Sequence, residues 1–105
     1  MVDTTYDVLV IGGGAAGENA ADLSGRGGLK VGLIEHELLG GECTYWACMP
    51  SKALLRPGEA LEALRRVPGA SAEEKIDVKA ALARRDALAS HWDDSNQVAW
   101  LGKVG

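Results

Sequence analysis

Tyr6-Asp7-Val8-Leu9-Val10-Ile11-Gly12-Gly13-Gly14-Ala15-Ala16-Gly17 is the stretch that decides the architecture. Val8 to Ile11 is an unbroken aliphatic run, the pattern of a strand buried on both faces of a parallel sheet. It ends abruptly in three glycines, and from Ala15 to Leu23 the chain turns to Ala and other helix formers. Gly25, Gly27 and Gly28 supply a stop, so a helix of about ten residues is expected. Val31-Gly32-Leu33-Ile34 is a second aliphatic run, closing on Glu35. Residues 6–35 therefore read as strand, helix and parallel strand, a βαβ unit whose crossover is right-handed.

Within this unit Gly12, Gly14 and Gly17 form G-x-G-x-x-G at the junction of strand and helix, with Gly13, Ala15 and Ala16 between them. The first glycine permits the tight turn, the second lets a pyrophosphate approach the backbone, and the third lets helix and strand pack closely. Phosphates would sit against the free N–H groups of the helix start, where the helix dipole favours negative charge. Glu35, eighteen residues after Gly17, stands where a carboxylate accepts hydrogen bonds from a ribose diol. A 2′-phosphate is repelled there, which disfavours NADP at this site. A glycine-rich turn beside a merely exposed Glu35 is the plainer alternative; strand, glycines, helix, strand and acid in register weigh against it. The spacing leaves FAD and NAD both open.

Beyond Glu35 the sequence shows no further strand. Leu38 to Trp46 reads as a loop carrying Gly40-Gly41, Pro50 to Arg56 as a helix, and Pro57-Gly58 and Pro68-Gly69 as turns enclosing a short helix from Glu59 to Val67. Ser71-Ala72-Glu73-Glu74 fits a capping box, and Asp77 is a second N-cap candidate. Val78, Leu82, Ala89, Trp92, Ala99 and Trp100 recur mostly at three- and four-residue steps, predicting one amphipathic helix from Val78 to Leu101. Two parallel strands cannot cover both their faces and edges without neighbours. The chain is therefore expected to be the amino-terminal piece of a larger protein, divided into a βαβ unit (6–35), a cysteine-bearing segment (40–56) and a helical part (58–101).

The 105 residues suffice for one globular domain at most. Eleven Lys and Arg against 15 Asp and Glu give a net charge of −4. The basic residues are scattered, with no stripe for nucleic acid and no polybasic patch for an anionic membrane. Val2 to Thr5 form neither a basic nor an apolar leader, so a cytoplasmic protein is expected. Cys43 and Cys48 are the only cysteines, too few for a secreted disulfide scaffold but sufficient for one redox or metal pair.

Five residues of regular helix rise about 7.5 Å, beyond the roughly 6.8 Å that a disulfide spans between Cα atoms. A bridge between these cysteines therefore requires a distorted first turn. Pro50 is tolerated near a helix start, which places Cys48 at the positive end of the dipole with Lys52 nearby, so a reactive thiol of lowered pKa is expected. Two buried thiols or half a zinc site compete with this reading. Zinc needs two more ligands, and His36 and His91 lie at no supporting spacing, so no metal site is expected. For Lys52 the plain alternative is a surface lysine, and for Trp46 a packed aromatic.

Gly40-Gly41-Glu42-Cys43-Thr44-Tyr45-Trp46-Ala47-Cys48-Met49-Pro50-Ser51-Lys52 resembles the redox motif of the flavin-dependent pyridine nucleotide–disulfide oxidoreductases, among them glutathione reductase, dihydrolipoamide dehydrogenase and mercuric reductase. The G-x-G-x-x-G unit is similar to the same family's amino terminus, so the resemblance covers at least residues 6–56. It implies an α/β fold: the N-terminal βαβ of a Rossmann-type FAD-binding domain followed by helices, with an incomplete sheet. It implies FAD in this unit, held by Gly12, Gly13, Gly14, Ala15, Ala16 and Gly17, by Glu35 and His36, and by Gly41, Glu42, Cys43, Cys48 and Lys52. NAD(P)H would bind a later domain of a homodimeric enzyme. Cys43 would be the interchange thiol that attacks a substrate disulfide, Cys48 the thiol facing the flavin, and Lys52 an aid to electron flow near the ring. Electrons would pass from NAD(P)H through FAD to the Cys43–Cys48 disulfide and on to a small or protein-bound disulfide or similar acceptor.

Three positions depart from the family's common pattern. Glu42 stands for Thr, Tyr45 for Asn and Ala47 for Gly, adding a carboxylate near the expected phosphates and aromatic bulk beside the interchange thiol. The acceptor is left open among a small disulfide, a lipoyl group, mercuric ion and a quinone. The family's second nucleotide domain, dimerisation domain and His–Glu pair are absent from these residues, so the chain alone is expected to be inactive and to bind FAD weakly. The rival from another class is a noncatalytic dinucleotide-binding module whose cysteines pack or sense oxidants. A third is an interaction piece exposing its sheet edge.

Overall fold

The computed structural model describes residues 5–104. The elements in order are β1 (Val8–Ile11), α1 (Ala15–Arg26), β2 (Val31–Ile34), α2 (Gly41–Tyr45), α3 (Cys48–Arg65), α4 (Val78–Leu88), a 3-10 turn (Ser90–Trp92) and α5 (Ser95–Val104). They fall into two compact units, one formed by the chain up to Cys43 together with that from Asp93, the other by Thr44–Trp92.

In the first unit the two aliphatic runs pair in parallel, Val8 opposite Val31 and Ile11 opposite Ile34, as a helical crossover permits. α1 packs on both strands and α5 packs on α1, making an α/β arrangement. Ala21 of α1 and Leu39 of the following loop are buried, whereas Leu9, Ile11 and Ile34 are exposed, Ile11 by 86%. α1 runs past the expected stop, through Gly25 to Arg26. Arg26 donates from Nε to Asp22 Oδ1 at 2.9 Å, one turn earlier, and this bond to a buried acid carries the helix to Gly27.

In the second unit α3 packs along α4, and Tyr45, Pro50, Ala53 and Ala89 are buried. The expected helices Pro50–Arg56 and Glu59–Val67 are one helix, α3, with Pro57 inside it. Proline costs a helix interior about 3 kcal/mol, so packing overrides the Pro-Gly turn signal here. Pro57, Leu61 and Leu64 face Ile76, Ala80 and Ala81 across an apolar groove. The exposed side carries Arg56–Glu59 and Glu62–Arg66 ion pairs at 3.5 and 3.0 Å.

No helix starts at the expected capping box Ser71–Glu74; its acids pair with bases, Glu74 with Arg65 at 3.3 Å and Glu73 with Lys75 at 3.3 Å. The second candidate is the cap, since the Ala80 N–H donates to Asp77 Oδ1 at 3.0 Å and α4 begins at Val78. The expected single helix from Val78 to Leu101 is broken after Leu88. Ser90, His91 and Trp92 take left-handed backbone, with φ of 52°, 51° and 55°. A new helix then nucleates at Ser95, whose N–H donates to Asp93 Oδ1 at 2.9 Å and whose hydroxyl donates to the same oxygen. Asp and Ser side chains offer the backbone this alternative to continued helix. Among the described residues no helix is long and apolar enough to cross a membrane.

Candidate functional site

The glycine loop shows a separate constraint at each position. Gly12 has φ +96°, and its N–H donates to Ile34 O at 2.8 Å, so the turn leaves β1 while still bonded to the end of β2. A Cβ on Gly17 would collide with the Gly12 carbonyl oxygen and stand 2.9 Å from its carbon. A Cβ on Gly14 would meet nothing within 4 Å. Gly14 is also the N-cap of α1, extended at φ −81° and ψ −171°, and no side chain caps the helix. The first N–H groups of a helix lack intrahelical acceptors, so this loop presents donors and a positive dipole end beside open space. Ala15 and Ala16 open that first turn and are exposed. The donors and the empty space at Gly14 fit a pyrophosphate.

Glu35 lies against this loop. Its Oε2 accepts from the Gly13 N–H at 2.6 Å, and its Oε1 accepts from the N–H groups of His36 and Glu37 at 2.8 and 2.9 Å. These bonds, with Glu37 and then Gly13 contributing most, hold its carboxyl below the usual carboxylate range; the charge of a protonated His36 acts in the same direction and partial burial opposes it. Oε1 already accepts twice and Oε2 once, so Oε2 keeps one lone pair for a ribose hydroxyl. Apolar walls from Val31, Leu33, Leu39, Val98 and Leu101 meet Glu35 around a cavity of about 390 Å³. The His36 ring is 87% exposed between Glu35 and Glu37, with nitrogens 3.3 and 3.6 Å from their oxygens.

The segment before the cysteines docks on the same loop. The Gly40 N–H donates to Gly13 O at 2.8 Å, and a Cβ on Gly41 would stand 2.7 Å from Gly14 Cα. Gly40 and Gly41 have φ of +121° and +71°. Leu39 fills the space where a Cβ on Gly13 would be, and its N–H donates to Asp94 Oδ2 at 2.8 Å. Sequence reasoning missed Asp94: the bond joins residues 55 apart, and Asp94 stood inside an expected continuous helix. Gly40 was visible as the first residue of the cysteine motif but without a role of its own.

Cys43 and Cys48 are disulfide-bonded to each other, and no cysteine is free. The expected distorted turn is a full break. Cys43 lies in α2, Ala47 takes φ −123° and ψ −92°, and Cys48 is the first residue of α3. The Ser51 N–H donates to Ala47 O at 3.0 Å and the Ser51 hydroxyl to Cys48 O at 3.1 Å, while Pro50 occupies a position that needs no N–H. Cys48 thus stands at the positive end of an 18-residue helix, where a thiolate is favoured. Lys52 follows one helical turn later and is exposed, as is Glu42 in the first turn of α2.

Of the two aromatics expected to add bulk beside Cys43, Tyr45 turns into the core. Its side chain is buried, with only 1% of the residue exposed, and its ring meets Trp46 edge-on at 5.8 Å, while Trp46 is 48% exposed. The aromatic bulk therefore divides, one ring into the core and one toward solvent.

Residues 6–101 match the family described as pyridine nucleotide-disulphide oxidoreductase. A dihydrolipoyl dehydrogenase from Bacillus subtilis (strain 168) is 47% identical over 62 residues, covering 59% of this chain and 13% of the relative. A mercuric reductase from Lysinibacillus sphaericus is 35% identical over 91 residues, covering 84% of this chain and 17% of the relative. The chain therefore spans less than a fifth of the length of the curated relatives it matches. Among solved structures, the Cu(II) complex of the HOCl-induced flavoprotein disulfide reductase RclA from Escherichia coli shares the fold at TM-score 0.67, with 24% identity over 86% of this chain and 18% of that one.

Proposed function

The chain belongs to the pyridine nucleotide-disulphide oxidoreductase family, and from that premise we propose that it is the amino-terminal FAD and redox-disulfide segment of an NAD(P)H-dependent disulfide oxidoreductase. One observation carries the reading: a disulfide across a helix break, preceded by glycines that dock on the glycine loop. In this reading the N–H groups from Gly14 to Gly17 hold the FAD pyrophosphate, the Gly13 N–H being taken by Glu35. Glu35 receives the adenosine ribose at its rim, with His36 exposed beside it, and Gly41 lets the cysteine segment approach. When bound, FAD would supply the two-electron relay between a hydride donor and the disulfide.

The chain's own part is thiol–disulfide exchange. With the pair reduced, the Cys43 thiolate attacks one sulfur of an acceptor disulfide and the other sulfur leaves as a thiolate that takes a proton. Cys48 then attacks the Cys43 sulfur, releasing the second acceptor thiol and re-forming the bridge. The exposed position of Cys43 suits attack, and the helix N-terminus holds Cys48 as a thiolate. Lys52, one turn along α3, adds positive charge on the same helix. Glu42 is exposed at the start of α2, free to turn toward solvent and away from phosphates. NAD(P)H binding, the homodimer and the remaining catalytic groups belong to other parts of the enzyme.

The test is replacement of each cysteine by serine in the polypeptide that joins this segment to the family's other domains. Cys43→Ser and Cys48→Ser are each expected to retain flavin and to lower NAD(P)H-dependent disulfide reduction by at least about a thousandfold. Unchanged turnover in either variant overturns the assignment and favours a noncatalytic dinucleotide module.

A further inference from the structure

Three consecutive residues without a glycine, Ser90, His91 and Trp92, hold left-handed backbone at φ between 51° and 55°. Side-chain-bearing residues avoid this region, and a run of them persists only where surrounding contacts over-determine it. Here the contacts converge on Trp92. Its backbone N–H donates to Ala89 O at 2.9 Å, and Ala89 is wholly buried. The Arg85 guanidinium lies 5.6 Å from the centre of its ring. Its indole Nε1–H donates to the backbone carbonyl of Tyr45 at 3.1 Å, across 47 residues of sequence. Tyr45 is one of the four residues bridging Cys43 and Cys48, and it is the last residue of α2 before the break that the disulfide spans.

We propose that Trp92 is a positioning residue for the Cys43–Cys48 couple: its indole N–H holds the Tyr45 carbonyl in the arrangement that closes the disulfide, so that the bond favours the oxidised state. The proposal rests on the reading of Cys43–Cys48 as a redox pair. Reduction by glutathione consumes two glutathione thiols and yields two protein thiols and one glutathione disulfide, with two electrons passing to the cysteine sulfurs. Once the sulfur–sulfur bond is broken, the bridge from Thr44 to Ala47 is no longer fixed at both ends, and the Tyr45 carbonyl is free to leave the indole. An interaction stronger in one state than the other shifts the equilibrium between them by that difference. The left-handed run points the indole N–H at the bridge, which accounts for backbone that no glycine relieves.

The experiment equilibrates the chain in glutathione buffers of graded thiol-to-disulfide ratio, quenches in acid, and counts alkylated thiols by mass. Trp92→Phe keeps the ring and removes the donor. Its ratio of disulfide to dithiol at a fixed buffer is expected to fall about three- to tenfold relative to the unmodified chain, with the far-ultraviolet circular dichroism of the oxidised form unchanged. A second measurement uses the unmodified sequence, so it stands whether or not that variant folds. The indole N–H proton resonance of Trp92, assigned by eliminating those of Trp46 and Trp100 with Phe substitutions, is expected to move on reduction. Equal equilibria for a folded Trp92→Phe and the unmodified chain, or an indole resonance identical in both redox states, overturns the inference alone. Cysteines that exchange with glutathione at no ratio overturn the redox-pair reading, and this inference with it.

Discussion

Gly14 and Gly17 are three residues apart, and a methyl group added to each meets opposite surroundings. At Gly17 it strikes the Gly12 carbonyl, so Gly17→Ala is expected to lose roughly 1–3 kcal/mol, read as a lower urea midpoint. At Gly14 it enters open space, so Gly14→Ala is expected to cost about 1 kcal/mol or less, chiefly through the poorer N-cap, yet to weaken flavin nucleotide binding in the assembled enzyme. A Gly14→Ala variant that binds flavin normally refutes the pyrophosphate placement. Glu35 gives a pH signature. Its folded pKa lies below the unfolded value, near 4.3 for glutamate, so its contribution is present in full above the unfolded pKa and is lost as pH falls through the folded one. The stability gap between the unmodified chain and Glu35→Gln is therefore expected to be flat above about pH 5.5 and to close on further acidification. Denaturant midpoints across that range check it, and a gap that widens in acid contradicts the bonding described for this carboxylate. These residues were legible because the chemistry of a glycine turn and of an acid at a strand end is local. Asp94 was not, since nothing near it in sequence announces a bond to the Leu39 amide. The cysteine spacing alone left thiols, zinc and a disulfide open, and only the surrounding motif chose among them.

The βαβ unit follows its sequence reading at the strands and the glycine turn, which carry their own signals, while the helix passes Gly25, the first of the three stop glycines, and ends at Gly27. The helices after Cys43 were less legible, since their limits depend on partners. Pro57-Gly58 has the composition of a turn, but α3 continues through it because Pro57, Leu61 and Leu64 have α4 and Ile76 to pack against. Pro57→Ala restores a helix N–H at that point and is expected to raise stability by about 1–3 kcal/mol, measured by thermal or urea unfolding. A decrease would show that α3 depends on the ring at that site. The break after Leu88 was hidden because no glycine or proline marks it, and the apolar positions on either side kept helical steps. At the start of α4, by contrast, Asp77 makes the capping bond that its residue type suggests, and Asp77→Ala is expected to cost about 1 kcal/mol.

Over the whole molecule, the described sheet has two strands, and Leu9, Ile11 and Ile34 remain exposed on it. A flavin nucleotide needs enclosure on more sides than one glycine loop provides, since bound cofactors bury most of their surface. The chain alone is therefore expected to bind FAD weakly, with no stoichiometric retention on ultrafiltration at micromolar concentrations. Tight, equimolar retention would show that the loop, Glu35 and the cysteine segment suffice. Uncovered apolar strands also favour association, so sedimentation is expected to show mass rising with concentration, independent of flavin. Gly13 has a wider consequence. Glu35 holds its N–H and Gly40 holds its carbonyl, so the short step from Glu35 to Gly40 starts and finishes on the same residue. Length changes in the exposed 68–73 connection are expected to cost little, but an insertion or deletion between 35 and 40 unseats one grip or the other, so that step is a fixed ruler.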